Sequence, residues 1–222
     1  MTRLVVVFQS GLGHTAKLAD SLVKGANSVP GVHCEPRALR WGDVDQGRYA
    51  SDELFAALDE SDGVIFGCAT YMGSGSALFK VFLETAFKPW WFEQRWKDKV
   101  AAGFTNSASQ SGDKLSTLLQ LAVFAMQMGM IWVGVSDLPG NNWSGGSRND
   151  LNRLGSWLGV MGQSNADEDS PSIGDIDTAF RLGTRVALIA RRLKDGIAYE
   201  TDRVSEPQFR QQNIRRSKGL SQ

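Results

Sequence analysis

The first twenty-six residues constrain the fold more than any other stretch. Leu4-Val5-Val6-Val7-Phe8 is an uninterrupted apolar run. Ser10-Gly11-Leu12-Gly13-His14-Thr15 follows it, and apolar residues then recur at Ala16, Leu18, Ala19, Leu22, Val23 and Ala26 with helical spacing. A buried strand, a short turn of small and hydroxyl residues and an amphipathic helix make the repeating unit of an α/β sheet protein. A helix N-terminus carries unpaired N–H groups and a partial positive charge. A small-residue turn lets an anion approach them, so residues 10–15 are expected to cradle a phosphate.

The alternation continues along the chain. Further strands are predicted at Val32–Leu39, Gly63–Phe66, Val100–Thr105 and Met130–Val135. Helices are predicted at Thr15–Ser28, Ser51–Leu58, Ser76–Phe87, Lys114–Met128 and Ile176–Leu193. Five strands alternating with five helices predict a doubly wound parallel sheet. Its ligand would lie at the carboxyl ends of the strands, on residues 9–15, 68–75 and 105–112. Two segments exceed plain connections: an aromatic one from Lys88 to Lys97, and one rich in Gly, Asn, Ser and Asp from Asp137 to Asp175, with a short helix expected near Asn149–Met161. Residues 1–198 read as one domain. Residues 199–222 form a polar, arginine-bearing tail, expected to be disordered or to pack on a neighbouring subunit.

The 222 residues carry 24 basic and 24 acidic side chains, a balance that argues against a nucleic-acid or other polyanion binder. Cys34 and Cys68 lack metal or redox-pair spacing, and with two histidines no metal site is expected. The cysteine usage points to a reducing, cytoplasmic setting, and Cys68 reads as a small core residue. The sequence predicts neither a signal peptide nor insertion into a membrane.

The first loop is neither a Gly-x-Gly-x-x-Gly dinucleotide turn nor a P-loop ending in Gly-Lys-Ser/Thr. It has no lysine at all. Neutral hydroxyls and backbone amides suit a bound monophosphate ester. The run from Val6 to Leu22, around Ser10-Gly11-Leu12-Gly13-His14-Thr15, resembles the flavodoxin signature for the phosphate of FMN. The second loop, Thr70-Tyr71-Met72-Gly73, offers an aromatic, an apolar side chain and turn amides to a flat heteroaromatic ring. The third, Asn106-Ser107-Ala108-Ser109-Gln110-Ser111, offers small polar residues after the fourth strand.

Together these loops resemble the tryptophan-repressor-binding-protein group of NAD(P)H:quinone oxidoreductases, from Leu4 to about Leu193. The resemblance implies a flavodoxin-like sheet of order 2-1-3-4-5 and FMN with NADH or NADPH as electron donor. It further implies two-electron reduction of a quinone-like acceptor and a homodimer or homotetramer. It assigns Ser10–Thr15 to the phosphate, Thr70, Tyr71, Met72 and Gly73 to the flavin ring, and Asn106, Ser107, Ala108, Ser109, Gln110 and Ser111 to the third flavin loop. Trp90 falls where that family has a tryptophan beside the flavin, and so is the expected substrate-binding residue. Trp90-Trp91-Phe92 reads equally as a stacking wall or as subunit packing. No side chain is expected to act as acid or base, because the cofactor carries the chemistry.

The sequence departs from that group at three places. Tyr71 stands where the group often has arginine, Gln127-Met128-Gly129 where it often has His-His-Gly, and Leu12 where an aromatic is common. Two further roles are open from sequence: His14 as a phosphate contact or a packing residue, and Arg148 as a nucleotide-phosphate contact or a surface charge. The alternative functions are a flavodoxin-type electron carrier, an FMN reductase supplying a partner monooxygenase, or a flavin-binding regulatory protein. The zero net charge and the aromatic segment weigh against the carrier.

Overall fold

The first strand, β1 (Thr2–Gln9), is buried on both faces, which only a covered parallel sheet allows. A computed structural model describes residues 1–196 of the chain. The other strands are β2 (Val32–Ala38), β3 (Gly63–Tyr71), β4 (Val100–Ser107), β5 (Ile131–Trp132) and β6 (Val160–Gln163). The helices are α1 (His14–Asn27), α2 (Asp52–Glu60), α3 (Ala77–Thr85), α4 (Lys114–Gln127) and α5 (Ile173–Gly196). The parallel order is β2-β1-β3-β4-β5, which bears out the expected flavodoxin-like order. Alternate residues of each strand feed two cores. Leu4, Val6, Ile65 and Phe104 pack under α1 and α5. Val5, Val7, Val64 and Phe66 pack under the other three helices, with Phe55, Phe79, Phe82 and Trp96.

The fifth strand corrects the sequence reading. Only Ile131–Trp132 pairs as β5, beside Val100–Ala101. Val133 still donates to the Ala101 carbonyl, but Val135 donates to Trp157 instead, so the chain leaves the edge of β4 there. The upper half of that edge, Phe104–Ser107, is taken by β6. The short helix expected near Asn149–Met161 is absent; turns and then β6 occupy the segment. The turns are set by Asn152, in the left-handed region at φ 44°. Its amide donates to the Asp137 carbonyl and accepts from the Ser156 N–H, both at 2.8 Å. Side-chain bonding of this kind competes with a helix. The structure also adds a small hairpin, Val44–Asp45 with Arg48–Tyr49, and carries β3 five residues past the predicted Phe66.

One buried ion pair ties the whole insertion down. Arg153 meets Asp175 at the start of α5 in a two-pronged bond, both contacts 2.8 Å, with side chains only 8% and 2% exposed. Asp175 also accepts from the Gln163 N–H of β6, and Arg153 also donates to the Gln163 carbonyl. Asp175→Ala would leave the guanidinium buried without its counter-charge. The expected loss is about 3–5 kcal/mol of unfolding free energy, measured by urea denaturation.

α1 and α5 cross at two glycines. A β-carbon on Gly183 would lie 2.1 Å from the Leu22 carbonyl oxygen of α1, and one on Gly25 would lie within bonding range of the Phe180 carbonyl of α5. Both obstacles are backbone, so the helices must separate to admit a methyl group. Gly183→Ala is expected to cost about 1–3 kcal/mol despite alanine's better helix propensity, with the same denaturation assay as the check.

Candidate functional site

Three strands of the sheet end together and their loops meet on one cleft. β1, β3 and β4 are in register so that Gln9 pairs with Cys68 and Ala69 with Asn106. The cleft has a volume of about 360 Å³, within the range of small-molecule sites. Residues from all three predicted loops line it: Gly11, Leu12, His14 and Thr15; Thr70 to Gly73; and Asn106 to Ser109. Ser164 and Ala166, which follow β6, close one side and went unread in the sequence because no pattern places that segment. Gln110 and Ser111 lie around the corner, on a separate apolar groove along α4.

The first loop ends at Gly13, the residue before α1, at φ 94°. Glycine has no side chain to cap the helix, and no side-chain cap bond is made there. Ser10 Oγ accepts from the Ala16 N–H at 3.2 Å, one turn in. The amides of His14 and Thr15 at the helix start are thus left for a ligand anion. His14 is used as a latch: its Nε2 bonds the Glu168 carbonyl at 2.5 Å, and Glu168 in turn pairs with Arg148 at 3.1 Å. Leu12 stands exposed at the rim.

The second loop is a two-residue hairpin rather than a simple strand-to-helix turn. Thr70 pairs with Gly75 and Tyr71 with Ser74, and the central Met72 and Gly73 both have positive φ, 49° and 76°. That is the geometry of a type I′ turn, in which a methionine is unusual. Met72 projects fully into solvent. Tyr71 leans back across the cleft, its hydroxyl 2.1 Å from where a β-carbon on Gly11 would stand. A side chain at residue 11 would have to displace the Tyr71 hydroxyl from the first loop. Thr70 points inward. Its hydroxyl bonds those of Thr105 (2.8 Å) and Thr117 (2.7 Å), and Thr105 donates to the Cys68 carbonyl. This buried hydroxyl cluster joins the ends of β3 and β4 to α4, so Thr70 meets the cleft through its backbone.

The third loop is held from behind. The Asn106 amide, oriented with its nitrogen toward Gly162 O (3.1 Å) and Ser164 Oγ (3.2 Å), accepts from the Ser107 N–H at 3.2 Å and ties β4 to β6. Gln163 donates to the Ala108 carbonyl at 3.0 Å. The Lys114 ammonium, 1% exposed, donates to Ser107 Oγ (2.8 Å), Ser109 O (2.9 Å) and Gln110 O (2.7 Å). Burial lowers its pKa to about 8. Lys114 escaped the sequence reading because it looks like an ordinary lysine in the first turn of a helix.

The structure takes Trp90 elsewhere than expected. Its ring stacks on Phe55 of α2 at 3.9 Å between centroids, under the Arg95 guanidinium, and its Nε1 donates to Asp59. It is absent from the lining of the three-loop cleft, because the turn Phe87–Trp91 folds it back onto α2. Gln127 also faces the α4 groove rather than the cleft. Cys68 is a core residue as predicted, its thiol pushed up to about 12 by burial. Among the described residues no group of His, Cys, Asp or Glu side chains has metal-binding geometry. No helix among them is long and apolar enough to cross a membrane.

The cleft thus offers uncapped helix amides at one end and two neutral loops facing each other beyond. A phosphate ester carrying a flat ring fits that donor set, and FMN has this form. Comparison with known proteins agrees. The chain is 36% identical over 195 residues to the flavodoxin FldP of Pseudomonas aeruginosa, covering 87% of this chain and 99% of that one. It is 29% identical over 206 residues to an NAD(P)H dehydrogenase (quinone) of Archaeoglobus fulgidus, covering 87% and 100%. A crystal structure of a flavodoxin, WrbA-like protein from Agrobacterium tumefaciens superposes with a TM-score of 0.64 at 37% identity, over 86% of this chain and 99% of that one. The family model described as NADPH-dependent FMN reductase matches residues 13–143, more than half of the sequence, and the chain belongs to that family.

Proposed function

We propose that this protein is an FMN-dependent NAD(P)H oxidoreductase that reduces quinones or similar flat acceptors by two electrons. The observation that carries the reading is the meeting of an uncapped helix start with two neutral loops in one cleft, in a chain of the FMN reductase family. FMN, when bound, supplies a ring that takes hydride from the nicotinamide and passes electrons on. The chain's own residues bind and orient it. Ser10 to Thr15 hold the phosphate by amides and hydroxyls, without a cation. Thr70 to Gly73 present the hairpin backbone and the Tyr71 ring to the flavin, and Asn106 to Ser109 present amides to its polar edge. The hydroxyl cluster of Thr70, Thr105 and Thr117 keeps the floor between those loops rigid. The proton taken up with each hydride is not assigned to a side chain of the cleft.

An anaerobic experiment tests this reading. Protein loaded with FMN is mixed with NADH or NADPH, and the flavin absorbance is followed before and after benzoquinone is added. Bleaching by at least one nucleotide, then full recovery with quinone, is the expected result. The second reading, an electron carrier, is favoured by the likeness to the flavodoxin FldP. Bound FMN that neither nucleotide bleaches would select it.

The assembly expected from the sequence, a homodimer or homotetramer, has a natural seam. Leu115, Leu119, Val123 and Met126 form an exposed apolar stripe along α4. Phe87 and Trp91 stand across a groove of about 1610 Å³ that runs to Gln110 and Ser111. A second copy of this chain seated there would cover the stripe and wall the open side of the third loop. Light scattering after gel filtration should give a multiple of the 24.3 kDa chain mass for the native protein, and the monomer for Leu119→Glu. A native monomer at micromolar concentration would remove the seam.

A further inference from the structure

We infer that Lys114 is a positioning residue for the flavin site: its ammonium gathers Ser107, Ser109 and Gln110 so that the third loop stands ready before the ligand arrives. The inference rests on the reading of the cleft as a flavin site. A lysine almost never lies fully buried unless its charge is used. Here three donors meet three oxygens of one loop within 2.9 Å, matching the full capacity of an ammonium. Lys114 is the one side chain among the described residues that bonds three separate residues of the loop. The loop turns through consecutive left-handed residues, Gly112 and Asp113, both at φ 54°. Its other anchors are Gln163 on Ala108, Asn106 on the Ser107 N–H, Ser164 N–H on the Ser107 carbonyl, Ser107 Oγ on the Ser109 carbonyl, and the first-turn amides of α4 on the Ser111 and Asp113 carbonyls, so the Ser109–Gln110 apex is gathered by Lys114 and Ser107. Asp113 is the only carboxylate lining the cleft among the described residues, and no lysine or arginine lines it. The Lys114 charge therefore sits one hydrogen bond behind the site, where it polarises the loop without pairing with the ligand.

Three acceptors make the arrangement sensitive to a single proton. A neutral amine has two hydrogens and releases one oxygen. With its pKa lowered to about 8 by burial, Lys114 crosses that point within an accessible pH range. Asp175, which raises the value, and Arg153, which lowers it, face it from α5 and the segment before β6. An unfolded chain keeps the lysine proton to about pH 10.4, so the fold itself gains stability as pH rises above 8 while the loop loses a bond. The two trends have opposite signs and are separable.

The test begins with hydrogen exchange on the flavin-free protein. Lys114→Met, of similar length and apolar, should speed amide exchange in residues 107–113 and leave β1 and β3 unchanged. Its dissociation constant for FMN at pH 7, read from quenching of flavin fluorescence, should rise about tenfold or more, the effect of losing bonds to a charged donor. Lys114→Arg should recover part of that loss. The native chain supplies an arm without substitution: its FMN affinity should weaken between pH 7 and 9 about a midpoint near 8, and the Met variant should show no such midpoint. Unchanged exchange in 107–113 with a dissociation constant within twofold of native would overturn the inference, as would a native affinity flat from pH 7 to 9. Failure of the native protein to bind FMN at pH 7 would instead count against the flavin reading, and exchange in the flavin-free variant would still decide the role of Lys114 in the loop.

Discussion

Everything at the site depends on the common register of β1, β3 and β4. Because these strands are parallel and buried on both faces, their apolar side chains fix which residues stand opposite one another. Gln9, Cys68–Ala69 and Asn106 then end the ladder within a residue or two of each other. Three loops that are far apart in sequence emerge at one edge of the sheet, and the cleft is the space between them. The hydroxyls of Thr70, Thr105 and Thr117 lock that edge to α4, and the carbonyl of Cys68 closes the cluster.

This part of the molecule was legible in the sequence, for a physical reason. Continuous apolar runs and helical spacing report burial, and burial marks where β1, β3 and β4 lie in the chain; their order was implied by the family resemblance, and the last five residues of β3 were not legible because the strand runs on into a hairpin. The first loop was legible as a turn because small and hydroxyl residues separate the apolar strand from the helical spacing. Other features depend on tertiary contacts that no local pattern carries. Val133 and Val135 read as one strand with Ile131, yet the edge of β4 is shared with Val160–Gln163 because the Arg153–Asp175 pair draws that segment onto the sheet. Trp90 is an aromatic in an aromatic run, and nothing local says that its partner is Phe55. Lys114 has the spacing of a surface residue, and its burial follows from a loop folding over it.

The electrostatics of the cleft suit a phosphate ester bound without surrounding cations. Its lining carries one carboxylate, Asp113, and no lysine or arginine, and His14 is held by the Glu168 carbonyl. Helix amides and one buried ammonium supply the positive potential, both fixed by the fold rather than borne on flexible side chains. Tyr71, half exposed, sets its hydroxyl against Gly11 and so joins the first loop to the second. The division of labour is plain: the sheet sets the positions of the loops, buried polar groups hold them, and the bound cofactor performs the redox chemistry.

The central claim is that FMN binds in the cleft between the three loops. The most direct test is a titration of the flavin-free protein with FMN, following the backbone amides by two-dimensional NMR. The account predicts one site per chain, with the largest shifts at residues 11–15, 70–74 and 106–113 and little change along β2 and α2. Shifts centred on any other face, or no saturable binding, would contradict it.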